Sequence, residues 1–334
     1  MIRVLIIFQL LMNINPLNGQ GADTTAWVPM EELVQEAPAA DTTMSFSSLE
    51  EEIEWCMQAA VKQENNNNFY MALSLYTSVI ELDNKNIIAY LNRADIHIKL
   101  NDYVASAIDI MKAIELDPNY SDAYLAKGIL HTLLYNIKES MNDFQKAIEL
   151  NPDNYEAYFR RGINKFKLED YRGAIADFNN VIRIKPNHDF SFFSRGVSKY
   201  NLNDNEGALE DFNKVISFNP RFPEVYSKRG DVKLRFKDYR GTIQDYNIAI
   251  EFDPPNSEYF YTRGLAKGGL YDDLGAIKDY NSAIEINPTF SRAFLARGLS
   301  KLGIDEIDSG CLDFSKAGEL GLMEAYDLIK KFCN

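Results

Sequence analysis

Six prolines, Pro118, Pro152, Pro186, Pro220, Pro254 and Pro288, follow one another at intervals of 34 residues. A fixed period of that length marks a repeat array, in which one supersecondary unit cannot bury its own apolar face and must stack on the next. With the prolines at position 32, the units start at Ile53, Ile87, Ser121, Tyr155, Asp189, Pro223, Ser257 and Ser291. Position 8 is then Ala60 and Ala94, followed by Gly128, Gly162, Gly196, Gly230, Gly264 and Gly298. Position 24 is aromatic in all units but one: Tyr76, Ile110, Phe144, Phe178, Phe212, Tyr246, Tyr280 and Phe314. Position 27 is Ala or Val from Val79 to Ala317.

Each unit reads as two helices. In the unit starting at Tyr155, the residues Tyr158, Phe159, Gly162, Ile163 and Phe166 fall on one helical face. After Glu169-Asp170-Tyr171 a second periodic run follows, Ala174, Ile175, Phe178, Val181 and Ile182, closed by Pro186. Small residues at positions 8, 20 and 27 let the paired backbones approach while the ring at position 24 fills the gap beside them. This pattern resembles the tetratricopeptide repeat family from residue 53 to the C-terminus. The resemblance implies an all-α fold, a right-handed superhelical solenoid of about eight helix-turn-helix repeats over residues 53–322. Residues 323–334 are expected to form a C-terminal capping helix.

The chain departs from the family pattern in three columns. Position 7, usually Leu, is basic in seven units: Arg93, Lys127, Arg161, Arg195, Arg229, Arg263 and Arg297. Position 11, usually a large aromatic, is Lys165, Lys199, Lys233, Lys267 and Lys301 in the last five. Position 23 is acidic in the same seven units, from Asp109 to Asp313. Basic and acidic columns that start in the same repeat predict ion pairs between the two helices, rather than a ladder for a polyanionic ligand.

Nothing in the repeats has the spacing of a nucleophilic triad or a phosphate loop. His97 and His131 share position 11 of adjacent units, with no third ligand to complete a metal site. Gly268-Gly269 and Asp272-Asp273 suggest an altered inter-helix turn in the seventh unit. No cofactor, metal or catalytic residue is expected, and the chain is read as a non-enzyme. The net charge of −14 disfavours nucleic-acid and anionic-membrane surfaces.

The resemblance places partner binding on the concave face, at first-helix positions 2, 5, 9 and 12. The carboxylate clamp of some family members, Lys at position 5 and Asn at position 9, is absent. Phe159, Ile163 and Phe166 instead line one helix, Phe190, Phe193, Val197 and Tyr200 the next, and Tyr261 extends the row. These side chains read either as a groove for an apolar helix or extended peptide, or as rings that pack repeat on repeat. The function expected is a protein-interaction scaffold. Alternatives are an accessory subunit of an envelope enzyme or ligand-handling complex, and a structural homo-oligomer.

Two further expectations concern the ends. Met1 to Met12, with Arg3 and an apolar run interrupted by Gln9, is too short to span a bilayer and fits a secretory signal peptide. Residues 22–52 form an acidic leader with eight Asp or Glu and no Lys or Arg, read as a flexible tether. No integral membrane span is expected, and the destination is periplasmic or secreted. In the register of a ninth unit Cys333 takes position 11, beside Cys311 at position 21 of the antiparallel helix before it. The two are expected to pair in an oxidising compartment, leaving Cys56 outside the disulfide, the alternative being two thiols in an apolar seam. Cleavage after Gly19-Gln20-Gly21 makes Ala22 the expected first residue of the exported protein. N-terminal sequencing checks this, and a chain that retains Met1 after export refutes it.

Overall fold

The structure, a computed structural model, describes residues 46–252 and 256–333. The signal-peptide segment 1–21 and the leader up to residue 45 lie outside the described residues. All regular structure among the described residues is helical, in eight consecutive pairs and a final single helix. The first four pairs are α1 (Leu49–Asn65) with α2 (Phe69–Leu82), α3 (Ile87–Lys99) with α4 (Tyr103–Leu116), α5 (Ser121–Leu133) with α6 (Ile137–Leu150), and α7 (Tyr155–Lys167) with α8 (Tyr171–Ile184). The other four are α9 (Asp189–Asn201) with α10 (Asn205–Phe218), α11 (Pro223–Arg235) with α12 (Tyr239–Phe252), α13 (Ser257–Gly269) with α14 (Asp273–Ile286), and α15 (Ser291–Gly303) with α16 (Ile307–Glu319). Helix α17 (Glu324–Phe332) ends the array.

The described residues divide into two units, those up to Trp55 and those from Cys56 onward. The described part of the first holds the start of α1. The Glu51 backbone N–H donates to Ser48 Oγ (3.2 Å), while the Glu51 carboxylate accepts the Ser47 N–H (2.7 Å). This reciprocal cap satisfies donors that a helix start leaves unpaired. The Phe46 ring lies 5.8 Å from Trp55.

In the larger unit, every pair turns on one residue in the left-handed region: Asn101, Tyr135, Glu169, Asn203, Lys237, Tyr271 and Asp305, with φ between 60° and 62°. Asn67 does the same in the first pair. The next residue caps the second helix: Asp102, Asp170, Asp204, Asp238 and Asp272 each accept the N–H three positions on, at 2.9–3.0 Å. The seventh repeat uses this same turn, contrary to the altered one expected. Gly268 and Gly269 belong to the last turn of α13, Tyr271 takes the left-handed position, and Asp272 is an ordinary N-cap.

The core of each repeat is the contact between positions 8 and 24. A Cβ on Gly128, Gly162, Gly196, Gly230, Gly264 or Gly298 would lie 2.5–2.8 Å from an atom of Phe144, Phe178, Phe212, Tyr246, Tyr280 or Phe314, respectively. All six rings are buried, and so is position 27 throughout. Burial pushes the Tyr246 and Tyr280 hydroxyls well above the ordinary tyrosine range, and Tyr246 donates a short hydrogen bond to Asp231.

At the C-terminus α17 packs on α16 through buried Ala325 and through Tyr326, which lies over Gly318. The Cys311 and Cys333 sulfurs are bonded, with Cα atoms 5.8 Å apart. Cys56 is buried and takes no part in a disulfide.

Ala has a helix propensity about 1 kcal/mol better than Gly, and overpacking costs about 1–3 kcal/mol. At Gly196, whose Cβ would meet Phe212 at 2.8 Å, the clash dominates. At Gly268, where the nearest atom is 3.9 Å away, nothing opposes the gain. Gly196→Ala is therefore expected to destabilise the protein by about 1 kcal/mol and Gly268→Ala to stabilise it by a similar amount, both read by urea unfolding.

Candidate functional site

The charged columns converge on one recurring arrangement, present in six of the eight repeats. Arg93, Arg161, Arg195, Arg229, Arg263 and Arg297 each place Nε and Nη2 on the two carboxylate oxygens of the Asp sixteen residues later, at 2.5–2.9 Å. In the last five repeats the lysine of position 11 reaches the same carboxylate at 2.8–2.9 Å. The third guanidinium nitrogen, Nη1, donates to position 25 of the preceding repeat, for example to Asn179 (2.6 Å), Asn213 (2.8 Å) and Asn247 (2.8 Å). The guanidinium carbon lies 5.2–5.7 Å from the ring centre at position 4, Tyr90, Tyr158, Phe192, Tyr226, Phe260 or Phe294. The fork, the spare N–H group and the flat face are all occupied, so these arginines are structural and offer no row of sites to a polyanion. The hydrogen bonds that Arg93 donates to Asp109 hold its guanidinium pKa above the usual range.

His97 and His131 stand in the place of that lysine. His131 Nδ1 lies 2.6 Å from Asp143 Oδ2, and His97 Nε2 is 3.9 Å from Asp109 Oδ2. Among the described residues no three His, Cys, Asp or Glu side chains are arranged to hold a metal ion. No described helix is long and apolar enough to cross a membrane.

The groove residues divide into two sets. Phe159, Phe193 and Val197 are 9%, 1% and 8% exposed and belong to the core, which corrects the expectation that they line an open groove. The reason lies at position 34, the residue that closes each repeat. Phe159 sits edge-on to His188 (5.1 Å) and beside Phe178 (6.0 Å), and Phe193 lies between Phe222 (4.9 Å) and Phe212 (5.9 Å). A ring at position 5 is thus clamped between positions 24 and 34 of its own repeat. Tyr261, half-buried, repeats this between Tyr280 (6.0 Å) and Phe290 (5.0 Å).

Ile163, Phe166, Phe190 and Tyr200 remain half-buried on the first-helix face. Phe166 packs edge-on to Tyr171 (5.4 Å) and Phe190 edge-on to Phe222 (5.4 Å). The Arg235 guanidinium lies 3.5 Å from the Tyr200 ring centre and donates to the Tyr200 carbonyl, Asn203 and Asn205, which fixes that ring in place.

Two features escaped the sequence reading. His188 caps α9 by accepting the Ser191 N–H at Nδ1 (3.2 Å), amid Tyr155, Phe159 and Phe190. On α4 the residues Val104, Ile108 and Met111 are 74%, 63% and 67% exposed and share one face at spacings of four and three. The signal for it was present: the corresponding residues of α6, Lys138, Asn142 and Gln145, are polar.

Burial lowers the His188 pKa, and this outweighs the opposing charges of Glu156 and Asp189, while Lys185 adds to it. With the folded value below the unfolded one, the cap's contribution is intact above the unfolded value of ~6.5 and is lost as the pH falls below it through the lower folded value. His188→Asn, the residue that Asn154 provides at the same position of the preceding repeat, keeps a cap acceptor without the titration. Melting curves between pH 7 and pH 5 should show the wild type losing more stability than the variant.

Residues 87–120, 121–154 and 155–188, three consecutive repeats, match the tetratricopeptide repeat family. Solved structures of similar fold include that from the functional characterization of Pseudomonas aeruginosa pilF, at 17% identity and TM-score 0.55, covering 60% of this chain and 92% of that one. The APC/C hetero-tetramer Cut9–Hcn1 matches at 16% identity and TM-score 0.54, over 80% of this chain and 53% of that one. A tetratricopeptide repeat protein from Parabacteroides merdae matches at 17% identity and TM-score 0.49, over 75% and 98%. No curated protein matches this chain.

Proposed function

The chain is a tetratricopeptide-repeat protein, and from that premise we propose that it is a non-catalytic scaffold that binds a partner peptide or helix along its first-helix face. The observation that carries this reading is the run of Ile163, Phe166, Phe190 and Tyr200 on consecutive first helices. These side chains are apolar, partly open, and held by a frame whose charges already pair among themselves. Rigid, half-buried rings on adjacent elements suit a partner's apolar side chains, because little side-chain entropy remains to be lost on binding. The reading also includes export, for which the bonded Cys311 and Cys333 are support, since such bonds persist in oxidising compartments.

A second reading rests on a different surface. The exposed Val104–Ile108–Met111 face favours self-association through the second helix of repeat 2. Light scattering of the wild type and of Ile108→Glu over a concentration series tests it, with a mass that rises only in the wild type as the outcome in its favour.

For the main reading the variants must spare the core, so Phe159 and Phe193 are unsuitable. Phe166→Ser combined with Tyr200→Ser removes two half-buried rings while leaving positions 5, 8 and 24 intact. Crosslinking in the native host, followed by affinity capture, is expected to recover a partner with the wild type and to lose it, roughly ten-fold or more in affinity, with the double variant. Equal capture by both, with helical content unchanged, would remove this face from consideration.

A further inference from the structure

A polar clasp joins each repeat to the one before it, with a single exception. Arg93 Nη1 donates to Thr77 Oγ1 (3.1 Å) across the boundary of repeats 1 and 2, and Arg161 donates to Gln145 across that of repeats 3 and 4. Asn179, Asn213, Asn247 and Asn281 accept in the same way at the four later boundaries, at 2.6–2.8 Å. Between repeats 2 and 3 both halves are missing. Position 7 is Lys127, whose ammonium is engaged by its own Asp143 (3.1 Å), and the residue in the acceptor's place is Met111, which points to solvent.

An independent defect lies at the same boundary. The Ser106 hydroxyl is buried with no hydrogen-bond partner. One repeat later Ser140 holds the equivalent position and accepts from Asn164 Nδ2 of the next repeat (2.9 Å). In the register of Asn164, the residue that would serve Ser106 is Leu130, which has no donor. Among the described residues, the one side-chain hydrogen bond between repeats 2 and 3 is that of the Tyr124 hydroxyl with the Pro118 carbonyl (3.2 Å), in the connecting turn. Apolar packing of Tyr90, Ala113, Ala123, Ala94, Ile110 and Leu130 holds the rest.

In a stacked array each repeat is stabilised mainly by its neighbours, so the weakest boundary sets where cooperative units divide. We infer that the array opens first between repeats 2 and 3, where Lys127 and Met111 replace the two halves of the clasp and Ser106 lacks a partner, with repeats 1 and 2 opening as one unit while repeats 3 to 8 stay closed. The apolar contacts and the hydrogen bonds of the connecting turn keep the boundary shut most of the time, and the missing charge-assisted bond sets how often it opens.

Native-state hydrogen exchange of the full chain, read by mass spectrometry, tests this. Amides of residues 87–116 should exchange roughly ten-fold or more faster than those of 121–150, as a step at the boundary and not as a gradual decline toward the chain end. Met111→Asn with Lys127→Arg installs the clasp and should slow exchange over 87–116 by a similar factor, leaving 155–184 unchanged. Equal rates on the two sides of the boundary in the wild type would overturn the inference, as would a step that this double variant does not move. If that variant fails to fold, the reciprocal change decides. Asn179→Met with Arg195→Lys should create a new step between 155–184 and 189–218, and its failure to do so counts equally against the proposal.

Discussion

The stacking of this protein depends on a guanidinium, present in six of the eight repeats, that is used on every side. Its fork holds a buried aspartate of the same repeat, its remaining N–H group reaches the repeat before, and its face covers an aromatic ring. Helix pairing and repeat pairing are thereby made by the same side chain. Lysine at this position, as Lys127 shows, still reaches the aspartate, but its ammonium lacks the planar fork that grips both carboxylate oxygens at once. The lysine at position 11 completes the arrangement by giving the buried carboxylate a second cation. Removing the aspartate would strand two positive charges against an apolar seam, whereas an all-apolar seam of similar volume could be as stable. What the ion pairs supply is register: the fork fits one vertical placement of the two helices and no other.

The apolar part of each repeat is built on the complementary principle of closeness. A bare backbone at position 8 lets a ring at position 24 lie against it, and a ring at position 5 fills what remains where the sequence provides one. Because the same ring is repeated at a constant spacing, the core is a column of similar contacts in which no residue needs a distant partner. Loss of one contact is felt mainly by adjoining repeats, in contrast to a globular core whose elements share one centre.

This economy explains what could be read from the sequence. The helix pairs were legible because position 8, position 24 and the proline recur in register, and the salt bridges because acid and base columns begin in the same unit. The groove was legible only in part. The fate of Phe159 and Phe193 depends on His188 and Phe222 at position 34, where the chain leaves one repeat for the next and where residue identity follows no column. Periodicity places a ring on a face but does not tell whether the connecting turn folds over it. The inter-repeat hydrogen bonds were hidden for a related reason. Their acceptors are Asn, Gln and Thr, residues that read as ordinary solvent-exposed positions until the preceding helix is laid beside the arginine.

The left-handed residue in every inter-helix turn bears on how such a protein changes over time. Only Asn67, Asn101, Asn203 and Asp305 are of the kind that adopts this conformation with ease, while Tyr135, Glu169, Lys237 and Tyr271 are held there against a preference of roughly 1–2 kcal/mol each. Packing of the two helices on either side imposes the turn and outweighs that local preference. Such positions can drift in identity without loss of the fold, and a repeat array of this kind can diversify the chemistry at its turns more freely than at its helices.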